Sequence, residues 1–74
     1  MENEFLKKLG EIIKRDQEIN PDDKFREYEE WDSLNYLSVI SLIDDEYDLI
    51  IPQEEFKKFS TVKDILNYIQ KERG

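Results

Sequence analysis

Three stretches of this chain place apolar side chains at helical spacing, so any core must form where those helical faces meet. In the first, Phe5, Leu6, Leu9, Ile12 and Ile13 follow an i, i+1, i+4, i+7, i+8 pattern. Lys7, Lys8, Lys14 and Arg15 fall on or near its wet side. In the second, predicted from about Ser33 to Tyr47, Leu37, Ile40, Ile43 and Tyr47 form the inward stripe, flanked by Leu34, Val39 and Leu42. In the third, Val62, Ile65, Leu66 and Ile69 line one face of a helix ending near Lys71 or Arg73. With only 2 Gly and 2 Pro, the composition suits a helix-rich chain better than a sandwich.

The connections carry their own signals. Pro21 disfavours helix at Asn20, so Asn20-Pro21-Asp22-Asp23 reads as a break. The segment from about Asp16 to Trp31 is long for so small a domain, and Ile19, Phe25, Tyr28 and Trp31 give it anchors, so an ordered loop is expected. Pro52, followed by Gln53, Glu54 and Glu55, starts a short helix anchored by Phe56 and Phe59. Thr61 to Asp64 spells a capping-box-like start for the last helix. Gly10 weakens the first helix by up to about 1 kcal/mol relative to Ala, so close packing is expected there. The expectation is one domain over residues 1–74. It is an all-α bundle of three main helices, with a short one between the last two and a long loop after the first.

Composition narrows the function classes. There is no His and no Cys, which removes the usual imidazole base, thiolate catalysis and Cys-based zinc. A small chain without them is a poor candidate for an enzyme. Against 19 acidic residues stand 11 basic ones, a net charge of −8 that repels a nucleic-acid backbone and complements a basic protein surface. No stretch reaches transmembrane length and the Met-Glu-Asn-Glu start lacks a signal pattern, so a cytoplasmic monomer away from the membrane is expected. Asp44, Asp45, Glu46 and Asp48 lack the spacing and the central Gly of a calcium loop, so no resident metal is expected.

One motif offers chemistry. Asp32-Ser33-Leu34 opens the central helix, with Asp32 as its N-cap, and sets a hydroxyl at the positive end of the helix where a phosphate would be stabilised. A chosen tripeptide arises by chance in roughly one in a hundred chains this long, so the motif alone is weak. The residues by themselves leave open whether Ser33 is merely a first-turn residue behind a cap.

The wider pattern resembles the acyl carrier proteins. It runs through Trp31-Asp32-Ser33-Leu34, Leu37, Ile40, Ile43, Asp44-Asp45-Glu46-Tyr47, Ile51-Pro52 and Thr61-Val62-Lys63-Asp64-Ile65, and covers about Glu30 to Ile69 without a gap. The resemblance implies that Ser33 receives 4′-phosphopantetheine from coenzyme A through a phosphopantetheinyl transferase (holo-carrier synthase) using Mg²⁺. The arm's thiol then holds an acyl group as a thioester for partner enzymes, and the carrier catalyses nothing itself. Asp32 matches the acidic residue that lies near the transferase's metal, and Leu34 a position that docks into partners. An aminoacyl carrier shares the same chemistry. An acidic helical interaction module without cofactor is the alternative from another class.

Departures from the family pattern shape the remaining expectations. Members serving fatty acid synthesis carry acidic residues early in the central helix, where this chain has Asn35, Tyr36 and Ser38. Trp31 stands where a small residue is usual. These features point to an accessory pathway of specialised or polysaccharide-linked type. Partner recognition is expected at Asp32, Leu34, Asn35, Tyr36, Ser38, Asp44 and Asp45. The partners would be a loading ligase, a ketosynthase or an acyltransferase with a basic docking surface. Phe56 and Phe59 are bulky near where the family shelters an acyl chain: either they narrow that space, so that the cargo is short or remains exposed, or both rings are plain core.

Overall fold

The computed structural model describes residues 2–73. Four α-helices follow in order: α1 (Glu2–Ile13), α2 (Ser33–Tyr47), α3 (Gln53–Phe56) and α4 (Val62–Arg73), with a 3₁₀ turn at Phe25–Glu27 in the long loop. The described residues contain no strand. Their core takes Phe5, Leu9 and Ile13 from α1, Val39 and Ile43 from α2, and Phe56 from α3, together with Val62, Ile65, Leu66 and Ile69 from α4. Ile19, Phe25 and Ile51 add to it from the connections, and among the described residues no polar side chain is buried there.

The helix ends follow local chemistry. Asp32, in an extended conformation, caps α2 by accepting from the Asn35 N–H at 2.8 Å. Asp48 closes it in the left-handed region at φ 53°, donating its N–H to Asp44 O. Helix α1 ends in a Schellman arrangement, with Arg15 N donating to Gly10 O and Lys14 N to Glu11 O. Lys14 sits at φ 59°, a conformation that glycine adopts more cheaply. The capping box of α4 forms as expected. Asp64 N donates to Thr61 Oγ1, and Asp64 Oδ2 accepts from Ser60 N and Thr61 N. Those backbone donors hold the Asp64 carboxyl below its ordinary pKa.

The long loop does more than connect. Pro21 O accepts from Lys63 N at 2.8 Å and Asp23 O from Val62 N at 3.0 Å, so the loop satisfies N–H groups at the start of α4. Within it, Asp23 Oδ2 accepts from Asn20 N and from the Tyr28 hydroxyl, which holds its carboxyl below the ordinary value. Burial, and then the hydrogen bond to Asp23, push the Tyr28 hydroxyl above its ordinary value.

Three expectations are corrected. Leu37 is 60% exposed and not part of the inward stripe of α2. At 3.6 residues per turn it lies roughly 120° round the helix from Ile43, whereas Tyr36, Val39, Ile40 and Tyr47 cluster about that buried residue. Arg15 is not on the wet side. It is half-buried, with its guanidinium 3.9 Å from the Tyr28 ring centroid and Nη1 bonded to Glu30 at 2.9 Å. Gly10 is not tightly packed either, because a β-carbon there would meet Ile19 Cδ1 at 3.5 Å, an ordinary contact.

Candidate functional site

Ser33 is exposed at the first position of α2. The cap fixes its surroundings. Because Asp32 Oδ1 takes the Asn35 N–H and Asp32 O takes the Tyr36 N–H, the N–H groups of Ser33 and Leu34 are left at the helix end without intrahelical partners. The cap and a chemically available serine are therefore the same local structure. Asn35 braces the entry by donating its side-chain amide to Glu30 O.

A cavity of about 400 Å³ opens beside Ser33, lined by Trp31, Tyr36, Phe56, Arg26, Gln53 and Lys57 along with Asp32. Its floor is aromatic. Trp31 packs edge-on against Phe25 with centroids 4.8 Å apart, and Tyr36 edge-on against Phe56 at 4.9 Å. Its far wall is held by Arg26, which donates Nε to Phe59 O at 2.9 Å and Nη2 to Phe56 O at 2.8 Å. Arg26 and Lys57, two cations in a chain of net charge −8, line the same cavity as Ser33. Together with the helix N-terminus, they offset Asp32 for any anion on Ser33.

These residues suit a phosphate-linked group. The hydroxyl is accessible, the flanking N–H groups and the two cations favour an anion, and an open groove adjoins the attachment atom. Among the described residues no cluster of carboxylates could hold a metal ion.

The other sequence-predicted residues divide. Asp32, Leu34, Asp44 and Asp45 are exposed on or near α2, and Leu34 is 70% exposed. Asn35, Tyr36 and Ser38 are half-buried, Asn35 and Tyr36 being engaged within the fold. Arg26 and Lys57 were not legible as site residues: one lies in the loop, the other just after α3, and only the fold brings them to Ser33. Leu37 and Ile50 were likewise missed as exposed apolar side chains.

A four-helix bundle with an accessible serine at the start of its second helix defines a carrier-type protein, and comparison with known proteins agrees. The family described as "Phosphopantetheine attachment site" matches residues 3–69. The acyl carrier protein of Borreliella burgdorferi (strain ZS7) is 35% identical over 77 residues, covering 97% of this chain and 96% of that one. That of Thermobifida fusca is 33% identical over 75 residues, covering 95% of each. That of Chlorobium phaeobacteroides is 36% identical over 67 residues, covering 90% and 82% respectively. The chain belongs to the acyl carrier protein family, whose members carry 4′-phosphopantetheine and act as carriers, not catalysts. Such carriers work with biosynthetic enzymes. No helix among the described residues is long and apolar enough to cross a membrane.

Proposed function

We propose that Ser33 is the attachment residue and that the chain, as a single domain, presents an acyl thioester to partner enzymes of an accessory pathway. The observation that carries this reading is the exposed Ser33 hydroxyl at the capped start of α2, beside an open groove with two cations. In the transfer, Ser33 Oγ forms a bond to the phosphorus of coenzyme A that bears the pantetheine chain. The anhydride bond breaks, 3′,5′-adenosine bisphosphate leaves, and the serine proton passes to a base of the transferase. When attached, the group supplies a thiol that holds the cargo as a thioester. The unpaired N–H groups at the α2 N-terminus would stabilise the phosphodiester, with Lys57 and Arg26 as cations lining the adjoining groove, and Asp32 holds the helix end in register.

The outer face of α2 supports docking. Leu34 and Leu37 are largely exposed on it, and Asp44 and Asp45 stand at its C-terminal end. Acidic residues there oppose the helix dipole, so they cost local stability. A partner with basic side chains around an apolar pocket recovers that cost on binding. A loading ligase, ketosynthase or acyltransferase fits this description, as does the transferase. The early turns of α2 carry no acidic side chain after Asp32, which supports an accessory pathway over fatty acid synthesis. An aminoacyl cargo would use the same Ser33 chemistry.

The test is incubation of the purified chain with coenzyme A, Mg²⁺ and a broad-specificity transferase, followed by intact mass. A single pantetheine mass shift, absent in Ser33→Ala, is the expected result. No shift overturns the reading in favour of a cofactor-free interaction module, and a shift that survives the substitution overturns Ser33 as the attachment residue.

A further inference from the structure

The groove beside Ser33 ends on a wall of rings. Phe56 is 1% exposed and touches four others, with centroids 5.7 Å from Phe25, 6.3 Å from Trp31, 4.9 Å from Tyr36 and 5.4 Å from Phe59. Phe59 extends the cluster to Tyr68 of α4 at 5.6 Å. Arg26 fastens the cluster from outside through the carbonyls of Phe56 and Phe59. For anything entering from Ser33 to reach the aliphatic core, Phe56 would have to leave those contacts and meet water.

What remains outside the wall is small. At about 400 Å³ the groove lies near the lower end of the roughly 300–1,000 Å³ pockets that enclose a drug-sized ligand. The cavity on the other side of Asp32, about 420 Å³, has a mixed lining in which Ile12, Ile13 and Leu34 stand with Lys14, Glu30, Asn35 and Ser38, so an alkyl chain there would lie against charged and amide groups as well as aliphatic ones.

We propose that Trp31, Tyr36 and Phe56 seal the core beneath Ser33, so that this carrier displays its cargo at the surface and serves acyl groups that are short or polar. The inference rests on Ser33 bearing the arm. Trp31 is the chain's single tryptophan and forms part of the seal, so its emission reports on the groove directly.

The experiment transfers acetyl-, octanoyl- and hexadecanoyl-pantetheine arms from the corresponding coenzyme A thioesters, with each product verified by intact mass. Thermal midpoint and Trp31 emission are then compared. The wild type should show one midpoint across the series, within roughly 2 °C. In Phe56→Ala the octanoyl form should melt roughly 4–8 °C above the acetyl form, because the chain fills the space the ring leaves. Phe56→Leu, a milder truncation, should show a smaller rise in the same direction. A wild-type midpoint that climbs with chain length, with a blue shift of Trp31, overturns the seal. So does a variant series with no dependence on chain length. A missing mass shift in every arm instead overturns the attachment reading itself.

Discussion

Replacing Arg26 with alanine removes a side chain that ties the long loop to the end of α3. Its guanidinium donates to Phe59 O at 2.9 Å in an exposed position and to Phe56 O at 2.8 Å in a half-buried one. A hydrogen bond to a charged group contributes about 1.5–3 kcal/mol when buried, so this partly exposed pair should contribute about 2 kcal/mol. The guanidinium also lies 5.1 Å from the Phe25 centroid and 5.5 Å from that of Phe56. Cation–π contact at such partly exposed sites adds about 0.5 kcal/mol. The expected loss is about 2–3 kcal/mol, most of the roughly 3–5 kcal/mol of net stability available to a core this size. Urea unfolding followed by Trp31 emission measures it, and the thermal midpoint should fall by roughly 10–20 °C. Arg26→Lys keeps the charge but not the planar fork, so it should recover less than half of the loss. A loss below about 0.5 kcal/mol, the scale of an ordinary surface substitution, would refute the reasoning. Full recovery by lysine would refute the forked geometry.

Other substitutions test the helix ends. Gly10→Ala should stabilise by up to about 1 kcal/mol in urea unfolding, since the added β-carbon finds only ordinary contact with Ile19. Lys14→Gly should stabilise by about 0.5–1 kcal/mol, because it relieves a left-handed residue at the end of α1. Asp64→Ala should destabilise by about 1 kcal/mol at pH 7, as loss of a helix cap does. Because the folded-state pKa of Asp64 is depressed, its contribution is present above the ordinary carboxylate pKa and is lost as pH falls through the folded value. The gap between wild type and Asp64→Ala, followed by unfolding across pH, should therefore close only below about pH 4.

What the sequence made legible was local. The bounds of α2, the Asp32 cap, the Thr61–Asp64 box and the short helix after Pro52 are each encoded within a few residues, and each formed as expected. The place of Ser33 at the first position of α2 was legible for the same reason. The inward face of α2 was harder, because six aliphatic residues and two tyrosines in one helix fit more than one stripe. Only packing against α1 and the aromatic cluster shows that Val39 and Ile43 are buried while Leu34 and Leu37 face outward. Arg15, Arg26 and the loop carbonyls of Pro21 and Asp23 act across long sequence separations. Charged residues and a turn signal carry no mark of such partners, so their roles emerged only from the fold.

Central to the account is that Ser33, among the chain's hydroxyls, bears the phosphodiester. Peptide-level mass mapping of the transferase-treated chain tests it most directly, because Ser38, Ser41, Ser60 and Thr61 offer internal alternatives. The pantetheine-bearing phosphate is expected on Ser33 alone. Its localisation to any other residue, or an unmodified chain under conditions that fully convert a known acyl carrier protein, would contradict it.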